Sequence, residues 1–356
     1  MTSVRLRLLI LALLPLVVLM PALLALAIGR WSANYDALLV TNVETDLRVA
    51  DQYVQRILTT TGGDVTALAR SLRFDRALRR DAADLPAFLA RERAALGLDF
   101  LYYRPRDAAP RDWPVIAAAL AGRPLTEIDI FPPETLAALP DTGPALAERA
   151  RVPLIETRAA VPTTRTVEDR GMVVHSATPV ATPGHEGVLV GGILLNRNLD
   201  FIDTINALVY RDSGAPGARQ GTATLFLEDV RVSTNVRLFE GARALGTRVS
   251  AAVRAAVLGE GRTWLDSAFV VNDWYISAYR PILDSFGRRV GMLYVGYLQA
   301  PFDAAKRNAY LLVFAAFLAV LAISVPVFLR LARTIFAPLE RMTATMARVE
   351  AGDLEA

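Results

Sequence analysis

The sequence predicts an α+β protein: two related modules in series, each an antiparallel sheet with helices, held between two membrane-spanning helices. Three observations predict it. Residues 8–28 and 309–329 are apolar and free of charge, each long enough for the roughly 20 residues a helix needs to cross the hydrocarbon core. Between them, helical and strand patterns follow one another twice in the same order, the mark of segregated helices and antiparallel strands. The chain has no Cys, and an intervening region of this size buries a core without staples.

Composition narrows the function. The 356 residues are 53% hydrophobic and 21% charged, against about 25% charged in an ordinary chain. An ordinary cytosolic enzyme is excluded, and two spans are too few to enclose a transport path. Net charge is +3, from 39 Lys+Arg and 36 Asp+Glu, with Lys306 the single lysine. No basic run interleaved with aromatics occurs, which argues against a nucleic-acid surface. Without Cys there are no disulfides, thiolate metal sites or thiol catalysis.

Arg5 and Arg7 precede the first apolar stretch, and Arg330 and Arg333 follow the second. Basic flanks favour the cytoplasmic side, although Arg30, Lys306 and Arg307 flank the opposite ends. The expected topology has both termini inside and residues 30–308 outside. The first stretch exceeds the 7–15 residues of a signal-peptide core, so it reads as an anchor.

Along the outer region, Leu39, Val43, Leu47, Ala50, Val54 and Ile57 recur at three- and four-residue steps. They predict a long helix over 30–62, ending at Thr61-Gly62-Gly63, whose stripe serves packing on its own domain or a dimer. Residues 64–97 read as two further helices and 98–103 as a strand. A loop over 104–114 precedes a helix at 115–120, a separate segment at 125–131 and a helix at 134–149. Strands are predicted at 154–160, 172–179 and 188–195, with a helix at 198–208. Ser213-Gly214-Ala215-Pro216-Gly217 marks a boundary. Beyond it, strands at 222–227 and 230–236, a helix at 247–258 and a meander of strands at 263–271, 274–282 and 288–297 form a second unit.

The segments GTATLFLEDVRVSTNV (221–236), GARALGTRVS (241–250), FVVNDWYISAYRPI (269–282) and GMLYVGYLQAPF (291–302), with GGILLNRNLDFID (191–203), resemble the double-Cache extracellular sensors of bacterial histidine kinases and chemoreceptors. The resemblance covers residues 95–302, more weakly 30–95. It implies two tandem PAS-like Cache modules on a long helix. The resulting division is a cytoplasmic N-terminus (1–7), first span (8–28), signalling helix (30–62), membrane-distal module (63–212), membrane-proximal module (213–302), second span (309–329) and partial HAMP linker (330–356). Residues 333–356 resemble the first helix and connector of a HAMP linker, with Pro338 near the helix start and Gly352-Asp353-Leu354 at the connector. Ile335, Leu339, Met342, Met346 and Val349 also fall at steps of four, three, four and three, as in a parallel coiled-coil seam. The second helix of such a linker and any output domain would follow residue 356.

Candidate chemistry is sparse. His175 and His185 are the only histidines, and neither has an acidic or histidine partner at metal-ligand spacing. His175, within a strand pattern, is the better pocket candidate. Asp212-Ser213-Gly214 lacks the surroundings of a serine nucleophile, and Gly191-Gly192 lacks the Lys and Ser/Thr of a phosphate loop. No catalytic set, metal site or cofactor is expected. The best constellation is Arg243, Arg248, Trp274, Tyr275 and Tyr279, because a small anion needs a fixed guanidinium and aromatic walls. Strand alternation puts Tyr275 and Tyr279 on one face and Trp274 on the other. Tyr102, Tyr103, Arg158, Arg170 and His175 are the analogous set in the first module. Many amino-acid-binding double-Cache sensors carry an Arg-x-Trp-Tyr segment; here Asp112-Trp113-Pro114 is the nearest context, so that specificity does not carry over.

The expectation is the ligand-sensing half of a two-span receptor of the bacterial inner membrane, with residues 30–308 in the periplasm. It would be a homodimer, take a small molecule such as an organic acid or similar anion, and signal through Pro338, Leu339, Met342, Gly352 and Asp353. The expected parent is a two-component histidine kinase; the alternatives are a methyl-accepting chemoreceptor and a membrane-anchored binding protein without signalling. The chain itself is expected to have no enzyme activity.

Overall fold

The computed structural model describes residues 14–79, 84–210, 221–238 and 241–350. The expectations for 1–7, the start of the first apolar stretch, the boundary at 213–217, and Gly352 and Asp353 lie outside them. Two compact units divide the chain, one formed by residues up to Leu38 and from Ala300 onward, the other by Leu39–Gln299.

Helix α1 (Met20–Ala69) follows a single π-helical turn, Pro15–Leu19. Its buried residues within the larger unit are Leu39, Val43, Leu47, Ala50, Val54, Leu58, Thr61, Val65 and Leu68, which follow the expected stripe through Val54 and then take Leu58 in place of the expected Ile57, which is only half-buried. The chain's own sheets occupy that face. Tyr297 Oη donates to the Leu39 carbonyl at 2.6 Å, and Arg280 donates to Asp51 at 2.8 Å. Tyr53 lies 5.5 Å from Phe201 between ring centroids, and Thr66 bonds Thr178 at 2.9 Å. The expected helix end at Gly62-Gly63 is corrected: α1 continues to Ala69. Gly62 serves close approach instead, since a Cβ there would sit 2.4 Å from Thr126 Oγ1.

Helices α2 (Leu72–Arg79) and α3 (Leu85–Ala95) follow. The first sheet contains β1 (Phe100–Pro105), β2 (Leu125–Phe131), β5 (Gly171–Thr182) and β6 (His185–Leu194), in the order β1-β6-β5-β2 with every pair antiparallel. Helix α4 (Pro114–Leu120) lies between β1 and β2. The expected helix over 134–149 is two, α5 (Pro133–Ala137) and α6 (Gly143–Ala150), broken where Pro140 precedes Asp141 at φ 61. One face of the sheet carries a core of Phe100, Val115, Ile116, Phe131, Leu136, Leu146, Val173, Val188 and Val190. The other carries Val65, Leu68, Phe74, Leu89, Leu101 and Leu189. Gly192 sits where strands crowd: a Cβ would lie 1.9 Å from the Val174 carbonyl oxygen.

Strands β3 (Val152–Pro153) and β4 (Val167–Glu168) pair as a two-residue ladder. The strand expected over 154–160 does not form, because its backbone bonds go elsewhere. Ile155 N–H donates to Gly246, Ala251 N–H to Ala159, and Arg248 N–H to Thr157 Oγ1. This segment therefore ties the first sheet's side of the unit to the loop before the last helix of the second.

After α7 (Leu199–Val209), capped by Asn198, come β7 (Gly221–Leu227), β8 (Val230–Thr234), β9 (Trp264–Val270), β10 (Asp273–Leu283) and β11 (Arg289–Leu298). They form one antiparallel sheet in the order β8-β7-β11-β10-β9. Between β8 and β9, α8 (Ala251–Arg254) runs into a π turn, Ala255–Gly259. The expected helix start at 247 moves to 251, where Ser250 accepts from Val253 N–H, because Thr247 and Arg248 pair with β8 instead. One residue after β11, α9 (Ala300–Glu350) begins and continues through Pro326 and Pro338. Its first 32 residues, and residues 17–69, are long and apolar enough to cross a membrane by length and composition. Leu19, Leu23, Leu26, Leu312, Phe314 and Ile323 are exposed within them.

Two substitutions separate crowded from free glycines. Gly192→Ala must push a carbonyl aside and is expected to cost about 3 kcal/mol. Gly63→Ala, with nothing within 4 Å of its Cβ, is expected to add up to about 1 kcal/mol through helix propensity. Thermal unfolding of the two variants checks this order.

Candidate functional site

The interior of the second sheet is unusually polar. Tyr275, Ser277 and Tyr279 on β10 and Tyr294 on β11 are buried, together with Thr224 and Thr234, whose hydroxyls bond at 2.7 Å. Helix α8 and its π turn cover them through Val253 and Val257, with Phe226 and Met292 completing the cluster. Trp274, on the opposite face of β10, is 54% exposed. Of the predicted aromatics, Tyr275 and Tyr279 therefore share this interior and Trp274 does not.

The two predicted arginines stand apart from it, each held by a carboxylate. Arg243 makes a bidentate pair with Asp203 at 2.7 and 2.8 Å and bonds the Thr234 carbonyl. Arg248 pairs with Asp229 at 2.6 Å and bonds Val161. The cation that enters the interior is Arg231, which sequence reasoning missed. It is 2% exposed, on β8 opposite Phe226. Its guanidinium carbon lies 5.0 Å from the Phe226 ring centroid, and Nη1 donates to Thr247 Oγ1 at 2.8 Å. Nε is buried without a hydrogen-bond partner. Among the described residues no carboxylate pairs with it. Burial pushes the Arg231 pKa down, against the opposing influence of Tyr279, Tyr294 and Tyr275. Burial likewise raises Tyr279 and Tyr294. A buried cation without a counter-charge costs several kcal/mol.

A different constellation lies on the first sheet. His175 and Asp129 are both fully buried, with Nδ1 2.8 Å from Oδ2. Phe131 and Trp113 set their rings edge-on to the imidazole, at 5.0 and 5.7 Å between centroids. Nε2 is buried and unpartnered. Ser285, in the turn after β10, donates from its hydroxyl to Asp129 Oδ1 at 2.7 Å, and the tilted Phe286 ring lies 5.8 Å from Trp113 between centroids. The second sheet's turn thus reaches the histidine's carboxylate. Glu127 faces the same side, its pKa raised by burial and by Asp129. The surroundings are net acidic, the reverse of those around Arg231.

The other first-module candidates scatter. Tyr102 packs against the core, its pKa pushed up to about 12 by burial. Tyr103, on the other face, donates to the His185 carbonyl at 2.8 Å. Arg158 is exposed. Arg170 bonds buried Glu168 and reaches Glu228 at 2.8 Å. Of the signalling candidates, Pro338 and Met342 lie on α9, with Met342 62% exposed; Leu339 is on the same helix. Among the described residues no group of three His, Asp or Glu could hold a metal ion.

Residues 193–309 match the family described as single Cache domain 3, a span holding the whole second sheet, α8 and the start of α9. No curated protein matches the chain. Among solved structures, the periplasmic domain of Vibrio cholerae LuxQ is similar at 13% identity and TM-score 0.39, over 72% of this chain and 98% of that one. The sensor domain of the V. cholerae histidine kinase DctB is similar at 12% and 0.38, over 74% and 98%. The sensory domain of the Campylobacter jejuni chemoreceptor Tlp3, with isoleucine bound, is similar at 10% and 0.36, over 78% and 97%.

Two predictions follow the charges. Arg231→Met removes a buried unpaired cation, while Thr247 keeps its bond to Ala244; the variant is expected to unfold no lower than the parent in ligand-free buffer, and a loss above about 2 kcal/mol contradicts the unpaired state. Glu168 is held below its usual value of 4.5: burial pushes it up, but the Arg170 and Arg165 guanidinium groups outweigh burial. Its stabilisation is complete above pH 4.5 and lost as pH falls below it. Glu168→Gln is expected to cost about 3 kcal/mol at pH 7, with the gap narrowing below pH 4.5 in unfolding curves.

Proposed function

We propose that this chain is the ligand-sensing and transmembrane portion of a bacterial two-pass receptor, with two tandem Cache modules outside the cell membrane and a HAMP-type linker inside. The observation that carries this reading is the Cache match over residues 193–309, in which the last strand passes through a single residue into the apolar helix α9. A ligand that binds two arrangements of the sheet unequally biases their populations, and the α9 helix is the covalent route inward. Trp31, Tyr35 and Tyr310 cluster, with centroids 5.4 and 6.0 Å apart, and Lys306 pairs with Asp36 beside them. Such aromatic and basic groups suit a membrane–water boundary. Met342 and Met346 are exposed apolar residues at seam positions, which supports a homodimeric coiled coil beyond the second span.

In this reading the parent's output is a two-component histidine kinase. The observations that support it also support a chemoreceptor, because both use this front end. The ligand is a small molecule and the sensory portion carries no catalytic step of its own.

The absence of Cys makes single-cysteine labelling clean. Asp107→Cys is expected to react with a membrane-impermeant maleimide in intact cells, and Met342→Cys only after permeabilisation; the reverse pattern overturns the topology. Joined ahead of a kinase output with a transcriptional reporter, Leu339→Asp and Pro338→Asp are expected to change basal output at least tenfold, and Arg106→Ala to leave it unaltered. Silent seam variants overturn the signalling role.

A further inference from the structure

We infer that the interior of the second sheet is a binding site for a short monocarboxylate, held by the Arg231 guanidinium with Tyr275, Tyr279 and Thr247 around it. The inference rests on the sensor reading above and deepens it by naming the module and the ligand class.

Charge comes first. Arg231 is buried to 2% exposure with no carboxylate partner among the described residues. The acidic groups nearest in sequence are taken: Asp229 holds Arg248 at 2.6 Å and Arg254 at 3.4 Å. The second sheet's interior therefore carries one uncompensated positive charge, a costly state that an anion relieves. One guanidinium balances one negative charge. A dianion would leave a net negative charge among Phe226, Val253 and Met292.

Geometry then selects the anion. Nη1 is occupied by Thr247, and the buried Nε lacks a partner. A planar carboxylate is the acceptor that matches a guanidinium edge. Tyr275 and Tyr279 pack in the same cluster as the Phe226 ring that lies against the guanidinium, Tyr279 at 6.0 Å from it between centroids, and phenol O–H groups donate to an anion. Phe226 and Met292, both buried, offer an apolar surface to a methyl or ethyl tail. Every lining residue is buried, so the packed side chains must part to admit even a ligand of a few heavy atoms. The first sheet does not compete for it: Asp129 and Glu127 beside His175 disfavour an anion there.

The test uses the full chain in detergent micelles, with equilibrium dialysis against radiolabelled acetate and propionate at fixed ionic strength. Saturable binding near one per chain is expected. Arg231→Gln is expected to weaken it more than about tenfold, the scale of a lost charge-assisted bond, with Arg91→Gln, on the exposed surface of α3, unaffected. Saturating ligand is also expected to raise the unfolding temperature by several degrees. If Arg231→Gln fails to fold, Tyr275→Phe and Tyr279→Phe stand in, and about tenfold weakening in at least one is expected. Undiminished binding in Arg231→Gln, or in both Tyr→Phe variants, overturns the assignment. So does absence of saturable binding of both acids to the parent chain, or displacement by equimolar chloride. If binding is absent while the Leu339 and Pro338 variants still control output in the reporter fusion, the sensor reading stands and the Arg231 site falls.

Discussion

Everything in the larger unit depends on one face of helix α1. From Leu39 to Leu68 this side of the helix meets both sheets: the second through the Leu39 carbonyl and Asp51, the first through Val65, Thr66 and the close approach of Gly62 to Thr126, with Tyr53 against Phe201 of α7 between them. A rigid helix shared in this way limits how the sheets move independently, because displacement of one must be absorbed by packing against the other. The shared face also resolves the spacing of its residues, which in sequence suits a dimer and a domain core equally. The core uses that face, so a second copy would have to meet the outer side of α1 or the seam on α9.

Three further links couple the sheets. In the segment 154–166, Ile155 N–H donates to the Gly246 carbonyl and Thr157 Oγ1 accepts from Arg248 N–H, and the turn after β10 delivers Ser285 to Asp129. The second link joins the histidine pair of the first sheet to the hairpin formed by β10 and β11, the strand that runs into α9. The Glu168, Arg170 and Glu228 ion pairs add a third junction. A fully buried carboxylate between two arginines is costly to break and weakly stabilising when whole, so its value is in fixing one arrangement of the junction.

Much of this architecture was legible in the sequence. Apolar patterning located three of the first sheet's four strands and the second sheet's five within a few residues, set off 125–131 without giving it a type, and the face of β10 that carries Tyr275 and Tyr279 followed from period two. The misses have physical causes. Gly62-Gly63 reads as a helix stop, but Gly62 is there for Thr126. The run 154–160 has a strand's composition, but its hydrogen bonds are long-range. Arg231 was missed because Val230-Arg231-Val232-Ser233 alternates as if one face met water, whereas all five residues of β8 are buried. Loop 246–247 and Arg197 cover what would otherwise be a free strand edge. An arginine between two valines is the available signal, whereas Arg243 and Arg248, the more conspicuous cations in sequence, each have their own carboxylate.

The account's central claim is that occupancy of the second sheet's interior is felt at the start of α9. Hydrogen–deuterium exchange of the full chain, with and without saturating acetate or propionate, tests it most directly. The account predicts slower exchange in β8 and β10, with a change continuing through β11 into residues 300–308. Protection confined to β8 and β10, with exchange at 300–308 unaltered by a bound ligand, would contradict it.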